Sequence, residues 1–150
     1  GLILSNTGMK IGETALWDER IAQVNAKGVA AIADGVMARW FSEKFRASAP
    51  DAVALYAAML GQQSVDGYTG TCAVLRDSDL SRNAADIGAP TLCIAGGADL
   101  ATPPALLEAL TAAVPGARLA TLAGAGHLPC IEQPAAYAAL VSEFLDSLEG

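Results

Sequence analysis

The fold class follows from the stretch TLCIAGGAD, which spans Thr91–Asp99 and runs from apolar residues through two glycines to a carboxylate. A short apolar run that follows a proline and is closed by glycines predicts a buried β-strand. The pattern recurs at Arg118–Leu122, a predicted strand that leads into a glycine-rich loop ending at His127, the only histidine. Each strand is therefore followed by a side chain that can hold or move a proton.

The elements around these two strands indicate an α/β fold. A third strand is predicted at Leu2–Leu4, and the helical spacing of apolar residues predicts four helices within residues 13–83. Thr102 and Pro103 are typical of the N-cap and the first position of a helix, which is expected to run to about Ala113.

Pro134 opens a last predicted helix, whose apolar face is formed by Tyr137, Leu140, Val141, Phe144 and Leu148. Alternating strands and helices predict a parallel sheet with helices packed against it. Residues 1–12 and 84–150 are expected to form this core. The helical insertion at 13–83 is expected to form a cap over the carboxyl edge of the sheet, where ligands bind in open α/β sheets.

Asp99 and His127 are the candidate catalytic residues. Imidazole is the side chain best suited to take a proton near neutral pH, and a carboxylate that accepts its N–H fixes the tautomer. An acid followed by a histidine, each just past a strand, is the order of the last two members of a serine-hydrolase triad on an α/β sheet. The alternatives are a packed histidine and an aspartate that only terminates a turn.

The nucleophile of such a triad is missing from the sequence. No serine or cysteine lies in G-x-S-x-G or G-x-C-x-G. Ser64 has no flanking glycine, and Ser5 ends a strand without the glycines of a tight turn. Cys72 has half of the motif but lies in a segment with the apolar spacing of a helix, which favours a role as a small apolar residue of the core. The chain is therefore interpreted as the acid and base half of a site whose nucleophile lies elsewhere.

Two tryptophans and two arginines are candidates for the wall of a binding pocket. Trp17 and Trp40 lie on apolar helical stripes, where core packing is the default and a pocket wall is the alternative for Trp40. Arg39 and Arg76 can pair with a substrate carboxylate through the guanidinium fork, although either can equally be a solvated surface charge.

Composition excludes several functional classes. Of the 150 residues, 53% are hydrophobic and 17% charged, which indicates a packed domain. The formal net charge of −7 and the absence of a basic cluster argue against a nucleic-acid partner. No stretch approaches the roughly 20 apolar residues of a membrane span. The three cysteines have no metal-type spacing, so we expect free thiols in a reducing cytoplasm and no metal site.

The beginning of the chain carries an expectation of its own. It has no initiating methionine and no basic segment of a signal peptide, and it enters a strand almost at once. We therefore expect the sequence to be the interior of a longer chain.

Several short motifs carry a family resemblance. The motifs around the acid and the histidine are shared by many α/β-hydrolases: IAGGAD at 94–99 with TPP at 102–104, and HL at 127–128 with EQP at 132–134. Two stretches are narrower, LSNT at 4–7 with KIG at 10–12 and LRDSDL at 75–80. Further marks are RWF at 39–41 and GY at 67–68. With these motifs the chain resembles the C-terminal part of the 3-oxoadipate enol-lactonases, α/β-hydrolases of aromatic degradation, over essentially all 150 residues.

This resemblance implies a fold. The three predicted strands would be strands six, seven and eight of the α/β-hydrolase sheet, and residues 13–83 would be its helical cap. Asp99 and His127 match the triad acid and base of the family. The first five strands, the oxyanion-hole loop and the nucleophile elbow have no counterpart in this sequence.

The resemblance also implies a reaction, the hydrolysis of 3-oxoadipate enol-lactone to 3-oxoadipate without a metal or a cofactor. The expected partners are a small-molecule lactone or ester and an N-terminal hydrolase half that carries the nucleophile, and this chain alone is expected to be inactive. The sequence leaves open whether the protein forms a homo-oligomer. The alternatives are another capped hydrolase (esterase, epoxide hydrolase or haloperoxidase-like enzyme) and a non-catalytic ligand-binding module.

Overall fold

A parallel three-stranded sheet forms the centre of the protein in the computed structural model, which describes residues 1–148. The strands are β1 (Leu2–Ser5), β2 (Thr91–Gly96) and β3 (Arg118–Leu122), in the spatial order β1-β2-β3. Ser5 lies opposite Ile94, and Leu122 lies opposite Gly96. All six residues of β2 are buried, as expected for the central strand of a sheet covered on both faces. The predicted α/β architecture is confirmed.

Helices fill the chain between β1 and β2. Five α-helices lie between Thr14 and Asp77: α1 (Thr14–Lys27), α2 (Ala33–Trp40), α3 (Glu43–Ser48), α4 (Pro50–Gly61) and α5 (Val65–Asp77). We refer to residues 14–77 as the helical block. Its core consists of buried apolar side chains from the helices and from the segments between them: Val24, Val29, Ile32, Ala33, Val36, Met37, Phe41 and Leu60.

The expectation of four helices was wrong in two details. The stretch Val29–Ile32 forms a 3-10 turn that precedes α2, so the helical spacing does not mark one continuous helix there. The additional helix, α3, begins after Ser42, whose hydroxyl accepts the backbone N–H of Phe45. A cap of this kind stabilises even a short helix by satisfying one of its free donors.

Three further helices follow in the C-terminal part: α6 (Pro104–Ala113), α7 (Pro129–Glu132) and α8 (Pro134–Asp146). The prediction of Thr102 as the N-cap of α6 was wrong. The N-cap position is occupied by Pro103, with no side-chain cap, and Thr102 turns its hydroxyl toward another partner described below. Helix α8 ends at Asp146, so Leu148, which was predicted to lie on its apolar face, lies beyond the helix.

The two faces of the sheet are covered by different helices. On one face, Cys93 and Ala95 pack against Leu107 and Leu110 of α6. On the other face, a second cluster joins the sheet to α8: Ile3, Leu92, Ile94, Ala120, Leu122, Tyr137, Leu140, Val141 and Phe144. Within residues 1–148, β1 pairs with β2 alone, which leaves its outer edge without a neighbouring strand.

The helical block meets the sheet through the segment that follows β3. Leu128 and Ile131 pack against the apolar core of the block. The division into a core (1–12 and 84–150) and a cap (13–83) stays a prediction; residues 149 and 150 of it lie outside the described part of the chain. No helix among residues 1–148 combines the length and apolar character required to cross a bilayer.

Candidate active site

Asp99 and His127 are in contact at the carboxyl end of the sheet. Asp99 follows β2 after a tight turn in which its backbone N–H donates to the carbonyl oxygen of Gly96, 3.1 Å away. His127 follows β3, and its Nδ1 lies 2.9 Å from Oδ2 of Asp99. The Asp99 side chain is fully buried and that of His127 is 21% exposed. The structure thus brings together the two residues that the sequence indicated.

The carboxylate of Asp99 accepts five hydrogen bonds. Its Oδ2 accepts from Nδ2 of Asn6 at 2.7 Å, from Oγ1 of Thr102 at 2.7 Å, and from His127. Its Oδ1 accepts the backbone N–H groups of Ala101 at 2.7 Å and Thr102 at 3.0 Å. Burial on its own raises the pKa of Asp99, but the hydrogen bonds from His127, Asn6 and Thr102 outweigh it and lower the pKa to about 2. Asp99 is therefore ionised throughout the neutral range.

An ionised Asp99 fixes the tautomer of His127. A carboxylate only accepts hydrogen bonds, so the nitrogen that faces it, Nδ1, must carry the proton. The lone pair then remains on Nε2, which makes no hydrogen bond among residues 1–148. Oγ1 of Thr102 lies 3.2 Å from the same Nδ1 and helps to hold the ring. Nε2 of His127 is therefore available as a base on the side of the ring that faces away from Asp99.

Sequence analysis did not assign a site role to Asn6 and Thr102. Asn6 directly follows β1, so the argument that side chains gather where parallel strands end would have found it. Its backbone has φ = 47°, in the left-handed region that asparagine tolerates better than most residues. Thr102 gave a misleading signal because Thr-Pro is also typical of a helix start.

Glycines allow the His127 loop to approach its neighbours closely. A Cβ atom at Gly96 would overlap the carbonyl oxygen of Gly126. A Cβ atom at Gly126 would lie 2.6 Å from the carbonyl oxygen of Trp40 and 2.7 Å from Oε1 of Glu132. The approach between β2, the loop and the helical block therefore requires glycine at both positions.

Glu132 connects this loop to the helical block. Its Oε1 accepts the backbone N–H of Ser42 at 2.8 Å and that of Gly126 at 3.1 Å, and its Oε2 accepts the Ser42 hydroxyl at 2.6 Å. The backbone N–H of His127 donates to the carbonyl oxygen of Trp40 at 2.8 Å. Since Ser42 and Gly126 are buried, these bonds satisfy donors that water does not reach.

A cavity of about 640 Å³ lies between His127 and the helical block. Trp40 lines it, with its ring centroid 6.0 Å from that of His127. Trp17 lines it too and donates its indole N–H to the carbonyl oxygen of Ile11 at 2.6 Å. Arg39 lines the cavity with an exposed side chain. The volume falls within the range of small-molecule sites.

Arg76 lies outside the lining of this cavity. Its guanidinium forms ion pairs with Asp18 and Asp77, each at 2.8 Å. It therefore joins α1 to α5 at the protein surface.

The serine and cysteine side chains considered as nucleophiles make structural contacts or are buried. The hydroxyl of Ser64 accepts the backbone N–H of Gly67 and caps α5, and that of Ser5 donates to Oδ1 of Asn6. Cys72 is buried on α5, where burial raises the pKa of its thiol against the opposing charge of Arg20. A raised pKa disfavours the reactive thiolate. Within residues 1–148, no three His, Cys, Asp or Glu side chains gather as a metal site would require.

A model of the alpha/beta hydrolase family matches residues 2–140 of this sequence. The chain belongs to the alpha/beta hydrolase family. The parallel sheet and its flanking helices thus belong to a known scaffold.

Among proteins of the family, two enol-lactonases of Acinetobacter baylyi are similar in sequence. 3-oxoadipate enol-lactonase 2 is 33% identical over 136 residues, which is 91% of this chain and 51% of that protein. 3-oxoadipate enol-lactonase 1 is 29% identical over 148 residues, or 99% of this chain and 55% of that protein. The chain spans about half the length of these relatives.

The fold is also similar to a crystal structure of the enol-lactonase from Burkholderia xenovorans. The TM-score is 0.92 with 33% sequence identity, and the match covers 96% of this chain and 55% of the other. The resemblance noted in the sequence to enol-lactonases within the α/β-hydrolases is confirmed.

Proposed function

We propose that this chain supplies the acid and the base of a Ser-His-Asp triad that hydrolyses an ester bond, and that the substrate is 3-oxoadipate enol-lactone. The observation that carries the proposal is the contact between His127 and the buried carboxylate of Asp99 at the wall of a small-molecule cavity. Similarity to enol-lactonases over half of their length supports the choice of substrate. The helical block would act as the cap over the site.

In this proposal Nε2 of His127 takes the proton of a serine hydroxyl as the oxygen attacks the lactone carbonyl carbon. The proton then passes to the enol oxygen as the C–O bond breaks, and that enol becomes a ketone. His127 next activates a water molecule that cleaves the acyl-serine ester. Asp99 stabilises the imidazolium that forms in each half of the cycle.

The serine would come from a segment outside these 150 residues, in the same polypeptide or in a separate one. The outer edge of β1 supports this part of the proposal, because an apolar strand with an unpaired edge can accept a further strand. Leu2, Ile3 and Leu4 are only half-buried, so a neighbouring strand would remove more of their surface from water.

The test is hydrolysis of 3-oxoadipate enol-lactone by the protein with its nucleophile-bearing segment present. We expect His127→Ala to reduce turnover by a factor on the order of 10⁶, the loss seen when a triad base is removed. The matched control is Glu108→Ala on the exposed face of α6, which should leave turnover unchanged. If His127→Ala retains the wild-type rate, His127 is not the base. If the wild-type protein hydrolyses no lactone in this assay, a non-catalytic binding function is favoured.

A further inference from the structure

An asparagine at the end of β1 connects the ends of all three strands. Asn6 directly follows β1, and its Nδ2 donates to Oδ2 of Asp99, at 2.7 Å, and to the carbonyl oxygen of Gly126, at 3.3 Å. Asp99 lies just past β2, and Gly126 immediately precedes His127 past β3. One amide group therefore contacts both the candidate acid and the loop that carries the candidate base.

The neighbours of Asn6 fix the orientation of its amide. A carboxylate and a carbonyl oxygen only accept hydrogen bonds, so the NH₂ group must face Asp99 and Gly126. On the other side, Oδ1 of Asn6 accepts the hydroxyl of Ser5 at 3.2 Å. Both hydrogens of the NH₂ group are thus used within the protein, and neither is left to bind a substrate.

The backbone of Asn6 is fixed as well. Its N–H donates to the carbonyl oxygen of Ile94 at 3.0 Å and continues the pairing of β1 with β2. Its φ of 47° lies in the left-handed region, which glycine, asparagine and aspartate adopt more readily than other residues. Only 7% of the residue is exposed. The side chain therefore reaches Asp99 from a firmly held strand end, where little water competes for the hydrogen bond.

The hydrogen bond from Asn6 restricts the orientation of the Asp99 carboxylate. Two backbone N–H groups hold Oδ1 of Asp99, and Asn6 holds Oδ2, the oxygen that accepts from His127. Rotation of the carboxylate would break hydrogen bonds at both oxygens. Because Nδ2 also binds Gly126, the same amide limits the distance between the carboxylate and the His127 loop.

We propose that Asn6 is a positioning residue of the triad, whose NH₂ group holds Oδ2 of Asp99 and the backbone before His127 at the separation that the acid–base contact requires. This inference rests on the proposed hydrolase function and adds a residue that acts through Asp99 and touches no reacting atom. Loss of the donor should slow turnover and leave substrate binding unchanged, since both of its hydrogens are bound within the protein.

Two variants separate hydrogen bonding from space filling, with lactone hydrolysis measured in the presence of the nucleophile-bearing segment. Asn6→Gly removes the amide and keeps a residue that tolerates the positive φ. Asn6→Asp keeps the size of the side chain but places a carboxylate oxygen against Asp99 and Gly126, where a donor was. We expect kcat to fall by about 10- to 100-fold in Asn6→Gly and further in Asn6→Asp, with KM within about two-fold in both.

The matched control is the same pair of substitutions at Asn83, an exposed residue whose side chain forms no cap bond, and neither should change kcat. A side chain that only fills space would give the opposite order of losses, because Asn6→Asp preserves the volume and Asn6→Gly does not. That opposite order, or a wild-type kcat in either Asn6 variant, would overturn the proposal.

A double-mutant cycle shows whether Asn6 acts through Asp99. Asp99→Asn already disrupts the contact with His127, so adding Asn6→Gly should lower kcat by less than about three-fold. Independent effects would multiply. A loss in the double variant equal to the product of the two single losses would therefore contradict the role assigned to Asn6.

Proton NMR of the same assembly detects the contact itself. The proton between Nδ1 of His127 and Oδ2 of Asp99 should give a resolved low-field signal, which Asn6→Gly should shift or broaden and Asn83→Gly should leave in place. In the wild-type protein the NH₂ protons of Asn6 should exchange slowly with solvent, because both are hydrogen-bonded in a buried site. Rapid exchange would overturn the proposal even if Asn6→Gly does not fold.

These measurements separate the positioning role from the hydrolase proposal. If no lactone is hydrolysed but the low-field signal depends on Asn6, the hydrolase proposal fails and the role of Asn6 in the contact between Asp99 and His127 stands. If lactone is hydrolysed and neither kcat nor the signal depends on Asn6, the positioning role fails and the hydrolase proposal stands.

Discussion

The backbone N–H of His127 donates to the carbonyl oxygen of Trp40, 2.8 Å away, and so joins the candidate base to the last residue of α2. Glu132 reinforces the junction by binding Ser42 on the helical side and Gly126 on the loop side. The position of the imidazole thus depends on the helical block as well as on Asp99. Movement of that block relative to the sheet would shift the base.

Substitution of Glu132 tests this dependence. Glu132→Ala leaves the buried N–H groups of Ser42 and Gly126 without an acceptor, at a cost of about 2 kcal/mol in the free energy of unfolding. Because Glu132 would act by positioning His127, we expect kcat to fall by about 10- to 100-fold with little change in KM. Chemical denaturation and steady-state kinetics measure the two effects.

Glu132→Gln is the conservative comparison. Its amide oxygen can still accept from both backbone groups while its NH₂ donates to the Ser42 hydroxyl, so much of the stability and activity should return. Should Glu132→Ala raise KM and leave kcat at the wild-type value, the residue shapes substrate binding and does not position the base.

Asp99→Asn tests the tautomer argument. An asparagine can present its NH₂ to the imidazole, which favours the proton on Nε2 and removes the base from the cavity side. In a comparable triad this change lowers kcat by about 10⁴. Kinetics on the full active assembly measure the loss, and Asp51→Asn at an exposed position of α4 is the matched control. A loss below about ten-fold would contradict a role of Asp99 in setting the tautomer.

The sequence predicted the sheet and the Asp99–His127 pair because both depend on local signals: buried strand patterns, glycines at strand ends and chain order. Other features depend on contacts between distant segments. Glu132 and Ser42 are 90 residues apart, and nothing near either residue indicates the bond. The prediction for Thr102 was wrong for a different reason. Thr-Pro is typical of a helix start, but here the hydroxyl of the threonine donates to the carboxylate of Asp99.

Acid should destabilise the protein through Asp99 in a defined pH window. The pKa of this carboxyl is about 2 in the folded protein and about 3.9 in an unfolded chain. The folded state therefore favours the ionised form, and the resulting stability is complete above about pH 4 and is lost as the pH falls toward 2. Its size is about 3 kcal/mol.

Urea denaturation between pH 6 and pH 2 measures this contribution. The free energy of unfolding of the wild-type protein should fall more steeply below pH 4 than that of Asp99→Asn, which lacks the titrating group. Asp51→Asn should keep the wild-type slope. Parallel curves for the wild-type protein and Asp99→Asn would refute the low pKa.

Gly126→Ala should disrupt the junction between loop, sheet and helical block without removing any polar group. The added methyl would lie 2.6 Å from the Trp40 carbonyl oxygen and 2.8 Å from the Ser42 nitrogen, both backbone atoms that cannot turn away. We expect a loss of about 1 to 3 kcal/mol in the free energy of unfolding, typical of overpacking, and a displaced His127 with reduced turnover.

The control is Gly70→Ala on α5, where the added methyl meets no atom within 4 Å and should be tolerated. Gly124→Ala is a poor control because its φ of 74° is itself unfavourable for alanine. A Gly126→Ala protein with wild-type stability and turnover would mean that the loop can move away from Trp40, and the base would then not depend on the helical block.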